Sequence, residues 1–230
     1  MKAPLQDHSL HKGWDAILFD FDGVLCDSNG LKGDAFMALY VEDGPEAQAA
    51  IRAFHDRNGG MPRREKLRRF ERDVLGRNID EGRIDGLVDR FADTVEQAVV
   101  RCSPVPGAAE FVAAHGGRLP LFVISATPHE EMVRIIEARG MRPHFVEVYG
   151  SPPGKAETAS SIIARHGFRR ERVAFVGDAV QDYDAATALE LPFVGVRDRD
   201  GSHPFPDGTL VIEDLRELET VLRRLAQQRR

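Results

Sequence analysis

Short, continuously apolar runs alternate with amphipathic helical patterns along most of this chain, and this alternation constrains the fold most strongly. Four or five consecutive β-branched, aromatic or aliphatic residues are typical of strands that are buried on both faces. The predicted strands are Ala16–Phe19, Leu121–Ile124, Phe145–Tyr149, Val173–Val176, Phe193–Val196 and, at an edge, Leu210–Ile212. The helical patterns between and after them are Gly107–His115, Glu130–Arg139, Glu157–His166, Tyr183–Leu189 and Leu215–Leu225. Strand–helix alternation predicts an α/β fold with a doubly wound parallel sheet and helices on both faces.

One long segment interrupts the alternation. Between about Ser28 and Arg101 no strand is predicted, and the apolar spacing there indicates four helices. They are Leu31–Val41, Pro45–His55, Arg63–Leu75 and Ile84–Val100. The chain returns to the α/β pattern through the Pro/Gly-rich segment Ser103–Gly107, which we expect to act as a stiff hinge. We therefore predict an inserted all-helical domain, residues 28–102, in a core made of residues 1–27 and 103–230.

Composition excludes several classes of protein. The chain has 230 residues, 31 Lys plus Arg and 37 Asp plus Glu, and a net charge of −6, which disfavours nonspecific nucleic-acid binding. It has only two cysteines, Cys26 and Cys102, which suggests a reducing compartment, with Cys26 as a packed thiol. No apolar run is long enough to cross a membrane, and Met1–Trp14 lacks the apolar segment of a signal peptide. We expect a cytoplasmic protein, monomeric or homodimeric, without nucleic-acid or membrane partners.

Polar side chains follow four of the predicted strands or begin the next helix. They are Asp20 and Asp22 after the first strand, Ser125 after the second, Lys155 before the helix after the third, and Asp178 and Asp182 after the fourth. In an open parallel sheet the carboxyl ends of the strands meet at one edge, where ligands bind. These side chains are therefore expected to lie in one crevice.

This set of side chains points to a narrow range of chemistry. Several carboxylates in one cleft repel each other unless a hard cation such as Mg²⁺ lies between them. A lysine and a hydroxyl group suit the oxygens of a bound phosphate. Gly23 allows a close turn that presents backbone amides to an anion, and an aspartate can attack phosphorus. The residues alone thus predict Mg²⁺-dependent phosphoryl transfer.

The sequences Asp20-Phe-Asp22-Gly-Val and Gly177-Asp178-x-x-x-Asp182, together with Ser125 and Lys155, resemble the four ordered motifs of the haloacid dehalogenase superfamily. The resemblance covers nearly the whole chain. It implies a Rossmann-like core and identifies the helical insertion with that family's cap. It also implies that Asp20 is the nucleophile, that Asp22 is the general acid and base, and that Ser125 and Lys155 hold phosphoryl oxygens. The metal residues would be Asp20, Asp22 through its carbonyl, Asp178 and Asp182.

The cap should determine specificity. The segment Gly59–Lys66 resembles the specificity loop of the phosphoglucomutase-like and phosphoglycolate-phosphatase-like members, where the position of Arg63 meets the distal end of the substrate. Lys66, Lys32, Gly23 and Ala126 are further candidate substrate-binding residues. Lys32 stands where mutase members often have His, which weakens a mutase interpretation. The rest of the Arg63–Arg72 run is interpreted as a solvated helix face, and Thr127 as a helix cap.

These arguments lead to one hypothesis and two alternatives. The hypothesis is an Mg²⁺-dependent phosphatase that hydrolyses a small phosphorylated metabolite through an aspartyl-phosphate on Asp20. A sugar phosphate, a sugar-acid phosphate or a phosphoglycolate-like compound would suit the cations of the cap. The first alternative is a phosphomutase of a sugar phosphate. The second is a catalytically silent binding or regulatory module on the same fold.

Overall fold

A six-stranded parallel sheet forms the centre of the molecule in the computed structural model, which describes residues 10–229. The first nine residues of the Met1–Trp14 segment, and Arg230, lie outside the described residues. The strand order is β3-β2-β1-β4-β5-β6, and every neighbouring pair is parallel. The strands are β1 Ala16–Phe19, β2 Leu121–Pro128, β3 Glu147–Ser151, β4 Val173–Gly177, β5 Phe193–Val196 and β6 Val211–Ile212. The predicted doubly wound, Rossmann-like α/β architecture is confirmed.

Nine α-helices accompany the sheet within the described residues. They are α1 Asn29–Leu39, α2 Gly44–Arg57, α3 Arg63–Arg69, α4 Glu81–Arg101, α5 Ala108–His115, α6 His129–Ala138, α7 Lys155–His166, α8 Val180–Ala188 and α9 Leu218–Gln228. The first four lie between β1 and α5, in the segment 28–102 that we call the cap. The cap contains helices and turns but no strand of the sheet, as its apolar spacing predicted. The boundaries of core and cap as separate domains stay a prediction.

Both faces of the sheet are buried, which explains why the strands have continuous rather than alternating apolar residues. In β1 the side chains of Ile17 and Phe19 enter one apolar cluster, and those of Ala16 and Leu18 enter the other. The first cluster continues into the cap through Phe36, Phe70 and Phe91, and other buried side chains. The end of β1 is therefore enclosed by core and cap together.

Several predicted elements begin or end elsewhere in the structure, and two of these differences have a clear local cause. β3 begins at Glu147 rather than Phe145, because the Phe145 amide closes a 3₁₀ turn on the carbonyl of Arg142. The predicted helix Arg63–Leu75 is α-helical only to Arg69 and continues as a π-helical turn over Phe70–Val74. That turn buries both Phe70 and Glu71, and the Glu71 carboxylate accepts a hydrogen bond of 3.0 Å from Nε of Arg83.

The two cysteines join the segments through which the chain enters and leaves the cap. Cys26 and Cys102 form a disulfide with a Cα–Cα distance of 6.8 Å and a sequence separation of 76. The prediction that Cys26 is a packed thiol is wrong. No local pattern indicates a pairing at that separation; it arises because the two connecting segments lie side by side, with Cys26 bridged to Pro104. The small number of cysteines is therefore no argument for a reducing compartment.

Over residues 10–229, no helix combines the length and the apolar character that crossing a membrane requires.

Candidate active site

Asp20 lies immediately after β1 and is almost completely buried. Its carboxylate is 2.8 Å from Nζ of Lys155, the first residue of α7, and accepts a 2.7 Å hydrogen bond from the amide of Phe21. Burial raises the pKa of Asp20 well above its usual value, and the Lys155 ammonium opposes that rise. The carboxylate is thus rigidly held, with one oxygen against a cation.

Asp22 lies two residues further on and is held by three side chains. Ser28 and Lys32 both donate to its carboxylate, and the hydroxyl of Thr127 donates at 3.3 Å. Lys32 also donates to Thr127 at 2.9 Å. Burial alone would raise the pKa of Asp22, but the charge of Lys32 and these hydrogen bonds hold it below its usual value. The surroundings of Asp22 therefore favour its ionised form.

Three carboxylates converge where β1 and β4 end. Asp20, Asp178 and Asp182 each place an oxygen within 4.8 Å of the others. Asp182 binds Lys155 at 2.6 Å and the Ala179 amide at 3.1 Å, so both of its oxygens are engaged. Asp178 accepts a 2.6 Å hydrogen bond from Asn29, and burial together with the charge of Asp182 raises its pKa to about 7. A cluster of hard oxygen donors carrying excess negative charge fits a magnesium ion.

Gly23 completes the turn between these carboxylates. Its φ is +73°, and a Cβ there would lie 2.0 Å from a carboxylate oxygen of Asp178, so the turn requires glycine. Its amide donates to the Cys26 carbonyl at 2.7 Å, inside the turn itself. The structure thus accounts for Gly23 through close packing against Asp178, and its predicted contact with substrate stays a prediction.

The second motif forms the carboxyl end of β2, which extends to Pro128. Ser125 is buried, and its hydroxyl accepts a 3.0 Å hydrogen bond from the amide of Thr127. Ser125 and Lys155 line a cleft that also includes Gly60 of the cap. Thr127, expected to cap a helix, instead lies in the strand with its hydroxyl on Asp22 and Lys32.

A second cavity lies between the core carboxylates and the cap. The predicted residues that line it are Asp20, Asp22, Asp178, Lys32, Arg63, Lys66 and Ala126, together with Thr127, His55, Phe36 and Phe91. The structure therefore brings most of the predicted site residues to one cavity, while Ser125 opens onto the neighbouring cleft. Asp182 is completely buried.

Arg63 and Lys66, two of the cap cations that line the cavity, are held by different partners. Arg63 is buried, donates to Glu131 at 2.7 Å, and lies over the ring of Phe91 at 4.5 Å. Nζ of Lys66 is 2.9 Å from Nδ1 of His55 and 3.2 Å from the Gly59 carbonyl. Burial and the charge of Lys32 lower the pKa of Lys66 to about 7, while burial and Lys66 lower that of His55 to about 3.

The sequence patterns did not indicate the side chains that contact the predicted site residues. Ser28 and Asn29 follow the first motif closely, so their position in the sequence could have indicated a place in the site. His55 and Glu131 lie on helical patterns with nothing local to distinguish them, and their contacts to Lys66 and Arg63 depend on how the cap packs.

Comparison with known proteins identifies the family. The model of the haloacid dehalogenase-like hydrolases matches residues 14–189. Curated relatives include phosphoglycolate phosphatases from Synechococcus elongatus, 27% identical over 79% of this chain and 82% of the relative, and from Photorhabdus laumondii, 29% identical over 80% and 81%. This chain belongs to the haloacid dehalogenase-like hydrolases, and the expectation of a phosphoric monoester hydrolase of that type is confirmed.

Solved structures share the fold. β-Phosphoglucomutase from Clostridium difficile superposes with a TM-score of 0.77 at 15% identity, over 94% of this chain and 98% of that one. The hydrolase YfnB from Bacillus subtilis, solved with bound magnesium, gives 0.68 at 17% identity, over 91% and 98%. The predicted resemblance to the phosphoglycolate-phosphatase and phosphoglucomutase-like members is confirmed.

Proposed function

We propose that this protein is an Mg²⁺-dependent phosphatase that hydrolyses a small phosphomonoester through an aspartyl-phosphate on Asp20. One observation carries the proposal: Asp20 and Asp22 line the same cavity, the first against Lys155 and the second against Lys32. A carboxylate held against a cation provides a nucleophile, and a second carboxylate beside it provides a proton carrier.

The reaction has two steps. An oxygen of Asp20 attacks phosphorus, the bond from phosphorus to the ester oxygen breaks, and Asp22 in its protonated form gives its proton to the leaving alkoxide. Water then attacks the aspartyl-phosphate, Asp22 takes a proton from that water, and phosphate leaves while the Asp20 carboxylate is restored. The contacts from Lys32 and Ser28 favour the ionised Asp22 that the second step needs, and they oppose the protonated form that the first step needs.

Lys155 and Ser125 would bind phosphoryl oxygens, the first from its position beside Asp20 and the second from the end of β2. The metal would be held by carboxylates of Asp20 and Asp178 and by the main-chain carbonyl of Asp22. Asp182, whose oxygens already bind Lys155 and a backbone amide, would orient this set. When bound, Mg²⁺ neutralises charge on the phosphoryl oxygens. The magnesium bound to YfnB, a protein of the same fold, supports this assignment.

The substrate we propose is a small phosphorylated metabolite with a polar or anionic distal end, of the phosphoglycolate, sugar-phosphate or sugar-acid-phosphate class. The activity named for the curated relatives supports phosphoglycolate-like compounds. Arg63, Lys66 and Lys32 line the cavity from the cap side. Arg63 and Lys66 would meet the distal end, whereas Lys32 is paired with Asp22. We further propose an enzyme that is monomeric or homodimeric and has no nucleic-acid partner. A cytoplasmic location stays a prediction that the Cys26–Cys102 disulfide does not support.

Replacing Asp20 by Asn tests the mechanism. The amide cannot attack phosphorus, so we expect phosphate release from a panel of phosphomonoesters with Mg²⁺ to fall at least about 10³-fold. Asp207→Asn, at an exposed position in a loop, makes the same change and should retain full activity. Undiminished activity in purified Asp20→Asn would refute the proposal. A phosphomutase would consume a sugar phosphate while releasing almost no free phosphate, and a silent module would turn over none of the panel.

A further inference from the structure

A buried ion pair crosses from the cap to the core beside the cavity. Arg63 begins α3 in the cap, and Glu131 lies in the first turn of α6, directly after β2. Nη2 of Arg63 is 2.7 Å from Oε1 of Glu131, and both side chains are more than nine-tenths buried. Glu131 does not line the cavity, whereas Arg63 does. The glutamate therefore lies behind the arginine, away from the space a substrate would occupy.

The guanidinium retains a free donor in this arrangement. Nε of Arg63 is buried and has no hydrogen-bond partner among residues 10–229. A buried charged donor without an acceptor is costly, and Arg63 is one of the residues that line the cavity, which points to an acceptor supplied by a bound molecule. The Phe91 ring under the guanidinium and Glu131 behind it fix the direction of that donor.

Glu131 also changes the charge that the distal end of the cavity presents. Arg63 and Glu131 together contribute no net charge, and neutral His55 contributes none. Lys66 remains, and its lowered pKa of about 7 leaves it only partly charged at neutral pH. The distal end of the cavity thus carries at most about one positive charge, which matches a hydroxyl or a single carboxylate better than a second phosphate.

We propose that Glu131 is a positioning and specificity residue. It orients Arg63 toward the distal end of the substrate, and its negative charge offsets the positive charge of Arg63, which disfavours substrates with a distal dianion. This inference rests on the proposed phosphatase function and adds a selection rule to it. The preferred phosphomonoesters carry a distal hydroxyl or carboxylate, and bisphosphates are rejected.

Three two-carbon phosphomonoesters test the rule, because they differ only in the distal group: 2-hydroxyethyl phosphate, 2-phosphoglycolate and ethylene glycol bisphosphate. Glu131→Gln retains an oxygen that can accept from Arg63 but removes the charge. In Glu131→Gln we expect kcat/KM for the bisphosphate, divided by kcat/KM for the hydroxyethyl ester, to rise about tenfold. The reason is the loss of one partly screened negative charge near the distal group. The ratio for phosphoglycolate should rise less.

Two controls separate this effect from a structural one. Glu130→Gln makes the same change at the exposed neighbouring position of α6 and should leave the ratios unchanged. In an Arg63→Gln background, Glu131→Gln should still raise the ratio for the bisphosphate, because it removes the same negative charge, whereas an effect that acted only by displacing Arg63 would disappear. Equal changes for all three compounds, unchanged ratios, or loss of the shift in the Arg63→Gln background would each overturn the inference.

Binding keeps the test independent of turnover. Dissociation constants of the same three compounds, measured calorimetrically with Asp20→Asn and with Asp20→Asn/Glu131→Gln, should show the same ranking and the same shift toward the bisphosphate. If the wild type hydrolyses none of the compounds, the proposed function fails. The inference about Glu131 then stands or falls on these dissociation constants alone.

Discussion

Lys66 illustrates how one buried side chain couples the cap to pH. Its ammonium is almost completely buried against His55 and the Gly59 carbonyl, and lies 5.5 Å from the centre of the Phe36 ring. Its pKa is lowered to about 7, whereas an unfolded lysine titrates near 10.4. Between these values the unfolded chain binds more protons than the folded one, so the folded state gains stability as pH rises.

We therefore expect the free energy of unfolding of the wild type, relative to Lys66→Met, to rise between pH 7 and 10. The slope should be at most about 1.4 kcal/mol per pH unit, because a single proton is involved. Urea unfolding at several pH values, followed for both proteins, measures the difference. Parallel profiles for the two proteins would contradict the lowered pKa.

At the same scale, the sequence identified the acids but not their neighbours. Asp20 and Asp22 were predictable because a buried strand ends just before them, and strand ends in parallel sheets converge. Thr127 was taken for a helix cap because the helical pattern begins close to it. Its actual contacts, to Asp22 and Lys32, follow from an extension of β2 that pairs Pro128 with Ser151 after a register shift.

At the scale of elements, the disulfide links the two chain segments that connect the cap to the core. A cross-link between residues with a sequence separation of 76 restricts the unfolded chain. In the chain-entropy model this restriction stabilises the folded state by about 4 kcal/mol. The Arg139 guanidinium reinforces the same junction, with bonds of 2.8, 2.9 and 2.9 Å to the carbonyls of Val99, Val100 and Cys102.

We expect Cys102→Ser to lower the free energy of unfolding by a few kcal/mol, up to about 4, because the unfolded chain regains that freedom. Urea unfolding with and without a reductant measures this. Cys26→Ser and the double variant should lose the same amount as Cys102→Ser, since each removes the same bond. A wild type whose stability is unaffected by the reductant would contradict this expectation.

The helices of the cap show where element prediction succeeds and fails. Apolar spacing located α1, α2 and α4 to within a few residues, since each has one face in a continuous apolar cluster. The end of α3 was not predictable, because its change to a π-helical turn depends on burial of Phe70 against three rings, those of Phe36, Tyr40 and Phe54. The local spacing of apolar residues does not indicate such contacts.

At the scale of the whole molecule, the proposed magnesium site at the carboxylate cluster predicts that stability depends on divalent cations. A ligand that binds only the folded state stabilises it by about 2.7 kcal/mol at a concentration a hundredfold above its Kd. For a chain of this size that corresponds to a rise in Tm of about 5–10 °C.

We expect MgCl₂ to raise the Tm of the wild type in this way and to have little effect on Asp178→Asn, which loses a proposed ligand. Thermal unfolding followed by circular dichroism, at increasing MgCl₂, gives the comparison, with Asp207→Asn as the variant that should respond like the wild type. An Asp178→Asn variant that gains as much as the wild type would contradict the assignment of Asp178 as a ligand.

Core and cap were predictable from the sequence as separate patterns, but not the way they meet. The contacts between them join residues far apart in the chain, such as Arg63 with Glu131, Asn29 with Asp178 and Lys32 with Thr127. Each depends on three-dimensional placement, and the sequence indicated at most one partner of each pair as a site residue.

The disulfide has a mechanical consequence for the way substrate enters. Two separate connecting segments would let the cap tilt, twist and slide relative to the core. Cross-linked at Cys26 and Cys102, and bridged at Pro104, these connections are joined at one place. We expect any motion of the cap to be a swing about that junction, which would open the cavity as a wedge that is widest on the side away from it.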